Sequence, residues 1–325
     1  MPTRKTRSMK GTSSISETSV RDLDRLSFGH GACISELARA ACLLEATAPK
    51  PGNVHPGASF GDMHYQHFVD SAMIVGECFE RLEEKERFGE LGRFVLEIVR
   101  TTREKIGVNT NLGIALVIVP LGLAMLKCNR IAACRKMDID GRIESLRGEV
   151  TRVLQELGPE DSRNVFRAIA EANPGGLGQV KQMDVRGEAP ESLMEAMSLA
   201  RDRDQIAQQY TDGFVDCLSM AKRLLELRAF GTGWMQAIVR VQVESLARQG
   251  DSLIRRKNDR DIEIEVQRLA RESLTLADLG EVNPWGSESE LDRYLRADGN
   301  RRNPGATADL IAGGLFVALW ASCRE

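Results

Sequence analysis

The chain has 325 residues, with 44 Lys and Arg against 47 Asp and Glu, a formal net charge of −3, and 42% hydrophobic residues. Those proportions suit a soluble globular protein with a substantial core, and they exclude the global basic field that draws nucleic acid. Aromatics make up only 5%, which leaves few rings for stacking bases.

Residues 1–30 are rich in Arg, Lys, Ser and Thr and open without an apolar stretch. They read as a disordered tail and not as a secretory signal. Residues 31–325 are expected to form one catalytic domain. Seven cysteines, an odd number without paired or zinc-type spacing, suit buried thiols in a reducing compartment. The expected location is therefore cytoplasmic.

Nearly every periodic segment has helical spacing, and strand-like alternation is almost absent. Helices are predicted over 35–47, 67–82, 92–105, 111–129, 143–157, 162–172, 191–210, 212–230, 234–248, 261–273, 288–295 and 307–323. Roughly a dozen helices make the fold class all-α, a single globular multi-helix domain with a buried central helix. That central helix is 111–129, because the run 114–125 is apolar on every side. The runs 114–125 and 310–320 fall short of the ~18–20 residues of a membrane span, and Pro120 or Gly313-Gly314 interrupts each. Both are expected to be buried, with no membrane partner.

Polar, glycine-bearing loops separate these helices at 48–66, 173–189, 249–258 and 297–307. Binding and chemistry concentrate in such loops. The central helix opens on Asn109-Thr110-Asn111, residue types that cap a helix and leave N–H groups facing an anion. Lys50, Arg255, Arg256, Lys257, Arg301 and Arg302 can neutralise a polyanion. Asp62, Asp251 and Asp309 are hard oxygen ligands suited to Mg²⁺ bridging phosphates. A further helix start at Asn303-Pro304-Gly305 adds N–H donors. No phosphate loop, nucleophile elbow or His-Glu-x-x-His is present. His64 and His67 with Asp62 or Asp70 could hold a transition metal, but their spacing at a helix start favours capping or surface roles. The residues thus point to a nucleotide or other phosphate-rich ligand held with Mg²⁺.

Pro49-Lys50-Pro51-Gly52 with Asp62-Met63, Phe68 and Ser71 resembles the opening motif of the triphosphoribosyl-dephospho-CoA synthase family. Gly107-Val108-Asn109-Thr110-Asn111-Leu112-Gly113 is similar to its Gly-Gly-x-Asn-Thr-His-Lys-Gly signature. Asp251-Ser252-Leu253-Ile254-Arg255-Arg256-Lys257 and Asn303-Pro304-Gly305-Ala306-Thr307-Ala308-Asp309-Leu310 resemble its third and closing motifs. The four occur in the family's order across about residues 35–320.

The resemblance implies an all-α enzyme that moves the triphosphoribosyl group of ATP to a hydroxyl of dephospho-CoA and releases adenine. It implies Asp62, Asp251 and Asp309 as catalytic groups, with Asp62 and Asp251 also holding metal. Lys50, Gly52, Asn109, Thr110, Asn111, Arg255, Lys257, Asn303 and Gly305 would bind the nucleotide. The family's His-Lys pair is here Asn111-Leu112, and Arg186-Gly187-Glu188-Ala189 resembles a family segment with a longer approach. This form resembles a side branch from archaea and C1-metabolising bacteria, whose acceptor could instead be a methanopterin-type precursor. A Mg²⁺-dependent nucleotide hydrolase and a non-catalytic nucleotide binder are the competing expectations.

Overall fold

Two helices with no polar face set the architecture. The computed structural model describes residues 32–85, 90–172 and 189–323. Along the chain the helices are α1 Ile34–Thr47, α2 Tyr65–Lys85, α3 Leu91–Ile106, α4 Leu112–Arg130, α5 Ala132–Arg135, α6 Ile139–Gln155, α7 Pro159–Ala172 and α8 Leu193–Ala200. They continue as α9 Gln205–Asp212, α10 Val215–Ala229, α11 Trp234–Gln249, α12 Ser252–Lys257, α13 Arg260–Asp278, α14 Glu290–Arg296 and α15 Gly305–Ser322. Among the described residues there is no strand, only an isolated bridge between His55 and Ala58. The fold is all-α, as expected.

Helices α4 and α15 pack on each other at the centre, with α6 against α4, and α1 and α10 against α15. Their helices outrun the apolar stretches to 19 and 18 residues, so by length and composition both could cross a membrane, contrary to the sequence expectation. Yet 78% and 83% of those windows lie buried inside the protein, where neighbouring helices replace lipid. Pro120 sits inside α4 and cannot donate to the carbonyl of Leu116. Tyr210 of α9 fills that vacancy, its buried hydroxyl donating to Leu116 O at 2.8 Å.

Differences from the sequence expectation trace to caps. The helix expected over 191–210 is two, because Asp204 caps α9 by accepting from the N–H groups of Ile206 (2.9 Å) and Ala207 (3.1 Å). The loop expected over 249–258 contains α12, whose N-cap is Asp251. The N-terminal tail, and residues 173–188 of the 173–189 loop with Arg186 up to Glu188, lie outside the described residues.

Candidate active site

The four motif segments, separated by between 39 and 250 residues at the pairs that join them, are stitched together by side-chain hydrogen bonds. Asn53 Nδ2 donates to Asn303 Oδ1 (2.7 Å), and Asn300 Nδ2 donates to Asp62 Oδ2 (3.5 Å), joining the first segment to the last. The Ser71 and Thr110 hydroxyls bond to each other, joining the first to the second. Asp251 Oδ2 accepts from Thr307 N (2.7 Å) and Thr307 Oγ1 (2.8 Å), joining the third to the last. Between the segments lies a cavity of about 750 Å³.

Of the residues expected at the site, Asp62, Asn109, Thr110, Asn111, Lys257, Asn303, Gly305 and Asp309 line this cavity. One wall carries Arg203, Arg256, Lys257 and Arg301. Lys257 loses hydration and faces Arg256, so its pKa is lowered. Glu45, Asp204 and Asp309 also line the cavity, Asp204 paired with Arg256 and Asp309 near the start of α15. Burial, then Glu45, Asp251 and Asp204, push the Asp309 carboxyl well above the ordinary carboxylate range. A third zone is apolar, with Phe166, Ile169, Met197 and Leu199.

The N-terminus of α4 opens into the same space. Leu112 N is capped by Asn109 Oδ1 (3.2 Å), while Gly113 and Ile114 of the first turn line the cavity. Asn111 Nδ2 donates to Thr102 Oγ1 (2.7 Å), and its buried Oδ1 has no hydrogen-bond partner. A polar pocket of about 210 Å³ opens behind this segment and shares Asn109 and Asn111 with the larger cavity.

Four expected residues stand behind the wall instead. Lys50 is fully buried and pairs with Glu45 Oε1 at 2.8 Å, with a second bond to the Glu45 carbonyl. Gly52 donates its N–H to Asp292 Oδ1 (2.8 Å). At φ +73°, with Leu295 Cβ only 2.7 Å from where a Cβ would sit, that position accepts glycine alone. Arg255 grips Glu263 at 2.7 Å. Asp251 is fully buried, and its Oδ1 caps Leu253 N (2.8 Å) and Ile254 N (3.1 Å), so both its oxygens are committed. Each of the four braces a wall that other residues present to the cavity.

The chain matches a family model over residues 32–324, the CitG family, described as ATP:dephospho-CoA triphosphoribosyl transferase. The chain belongs to this family. It is therefore a transferase of the triphosphoribosyl-dephospho-CoA synthase type, acting on ATP. A solved structure from Archaeoglobus fulgidus, provisionally described as a triphosphoribosyl-dephospho-CoA synthase, is 24% identical, with a TM-score of 0.57 over 79% of this chain and 100% of that one. It shows the shared fold. No match among curated proteins was found.

Within this family fold, sequence reasoning missed Glu45, Asp204, Arg203 and Asn53. Glu45 lies in an otherwise ordinary amphipathic helix, and only its buried pairing with Lys50 marks it. Asp204 closes the charged run Arg201-Asp202-Arg203-Asp204 and reads as a solvated turn, yet its Oδ2 holds Arg256 Nη1 at 2.7 Å in the cavity wall. Among the described residues no group of three or more His, Cys, Asp or Glu could hold a metal ion. His67 Nδ1 accepts from His64 N (3.3 Å), a capping role.

Proposed function

We propose that this cavity binds ATP with its triphosphate along Arg203, Arg256, Lys257 and Arg301 and its ribose beside Asp309. There the ribosyl group passes to a hydroxyl of the acceptor. The observation that carries the reading is Asp309, half-buried in the cavity lining, which has no hydrogen-bond or ion-pair partner among the described residues and whose lost hydration, with Glu45 nearby, favours the protonated form.

Adenine is a poor leaving group unless protonated, and positive charge builds at the anomeric carbon as it departs. Asp309 gives its proton to the departing base as the carbon–nitrogen bond breaks. The resulting carboxylate faces the anomeric carbon and then takes the proton of the attacking hydroxyl, so the cycle balances. Glu45, positioned by Lys50, adds a second negative group on the same side. The triphosphate is only clamped, which cationic side chains and the free first-turn N–H groups of α4 can do without a phosphate loop.

Mg²⁺ fits this scheme in a limited way. Asp251 has no open oxygen, whereas exposed Asp62 accepts from Asn300 on Oδ2 and keeps Oδ1 open, and Mg²⁺ with nucleotides needs only one or two carboxylates beside phosphates and water. Bound there, it would neutralise triphosphate charge. The apolar zone at Phe166, Ile169, Met197 and Leu199 suits the uncharged arm of dephospho-CoA. A cytoplasmic setting agrees with seven free cysteines.

The test is Asp309→Asn assayed for adenine release from ATP with dephospho-CoA. Loss of release with ATP binding intact supports the assignment. Undiminished release refutes it.

A further inference from the structure

A chain of three amides runs from the core to the cavity, and its direction can be read without ambiguity. It starts at the carbonyl of Pro51, which can only accept. Gln242 of α11, fully buried, therefore turns its amino group toward it, with Nε2 3.1 Å from Pro51 O. The same Nε2 donates to Asn53 Oδ1 at 2.6 Å. Asn53 is left with its own amino group for Asn303, and Nδ2 donates to Asn303 Oδ1 at 2.7 Å. Asn303 must then present its amino group to the cavity that it lines. That nitrogen lies on the Gly305 side, 3.7 Å from where a Gly305 Cβ would be.

We infer that Gln242 is a positioning residue for nucleotide binding, holding Asn303 as a hydrogen-bond donor to an acceptor oxygen of the bound nucleotide. The inference rests on the transferase reading above and adds to it a residue that never touches the ligand. Two observations beyond the bond lengths support it. Gln242 Oε1 is buried without a partner, a cost that an apolar side chain at this position would avoid. Asn53 is also fixed through its main chain, since Arg296 Nη2 donates to Asn53 O at 2.6 Å and Asp292 holds Arg296 at 2.9 Å. With its backbone pinned, only the sense of the Asn53 amide remains to be set, and Gln242 sets it. Without that donor, the Asn53 and Asn303 amides can turn together, and an oxygen then meets the nucleotide.

The experiment is a double-mutant cycle on the full chain with Gln242→Met, Asn303→Ala and both together, read as KM for ATP, kcat for adenine release and melting temperature. Each single change should raise KM roughly five- to tenfold with kcat altered less than about twofold. The double variant should be no worse than Asn303→Ala alone, because Gln242 acts through Asn303. Gln242→Glu keeps the volume but holds at most one of the two hydrogens, and serves if the Met variant does not fold; it too should raise KM. Unchanged KM in a folded, active Gln242 variant, or additive effects in the cycle, would overturn the inference alone. A wild type that neither binds ATP nor frees adenine would bring down the transferase reading and this inference with it.

Discussion

A Cβ added to Gly113 would lie 1.9 Å from Asp309 Oδ2 and 2.4 Å from its Cγ. The starts of α4 and α15 thus meet through a position that has room for no side chain, and the carboxyl at the centre of the proposed chemistry rests on bare backbone. Gly113→Ala is expected to displace Asp309 by about the width of a methyl group. A shift of that size costs on the order of 10²-fold in rate when it misplaces a reacting group. Steady-state adenine release should fall accordingly, while the melting temperature drops modestly.

Two aspartates from neighbouring motifs should separate cleanly. Asp251 accepts four hydrogen bonds, from Leu253 N, Ile254 N, Thr307 N and Thr307 Oγ1, and does not line the candidate cavity. Asp251→Asn turns an amino group toward one pair of donors and should cost about 2–4 kcal/mol of stability by denaturant unfolding. Asp309→Asn removes a carboxyl crowded by Glu45, Asp251 and Asp204, so stability should hold or rise. Its rate should fall roughly 10²- to 10⁴-fold. Because Asp309 must be protonated to release the base, the wild-type rate should decline as pH rises through its elevated pKa.

Acid should weaken the fold through His55. Burial, then Arg296 and Lys50, lower its pKa to about 4, and its Nδ1 accepts from Gly57 N at 3.1 Å. The unfolded value is 6.5, so the unfolded chain takes up the proton first. The stability contributed by neutral His55 is complete above 6.5, declines between 6.5 and about 4, and is gone below. Melting curves across that window should flatten in His55→Gln.

Tyr210→Phe tests how α4 tolerates Pro120. The substitution keeps the ring and removes only the donor to Leu116 O. A buried carbonyl left bare costs about 1–3 kcal/mol. Pro120→Ala in the same background should recover much of that, since the alanine N–H can bond Leu116 O itself.

Much of this was legible in the sequence, for identifiable reasons. Helical spacing is written in long stretches such as Phe94, Val95, Ile98 and Val99, and all four are buried as that stripe requires. Three of the four polar loops, 48–66, 249–258 and 297–307, line one cavity with the start of α4. Charge alone, however, does not tell a ligand contact from a brace. Lys50 in a Pro-Gly loop looks like a phosphate contact, but it neutralises Glu45 from behind. Asp251 looks like a metal ligand, but it ties α12 to α15. Glu45 and Gln242 sit in regular helices and carry no local signal, because their partners are supplied by distant segments.

The most direct measurement of the central claim is product analysis after incubating the purified protein with ATP, Mg²⁺ and dephospho-CoA. Free adenine should accumulate in step with an acceptor that has gained a triphosphoribosyl group, with no inorganic phosphate. ADP or phosphate appearing without adenine would contradict the account.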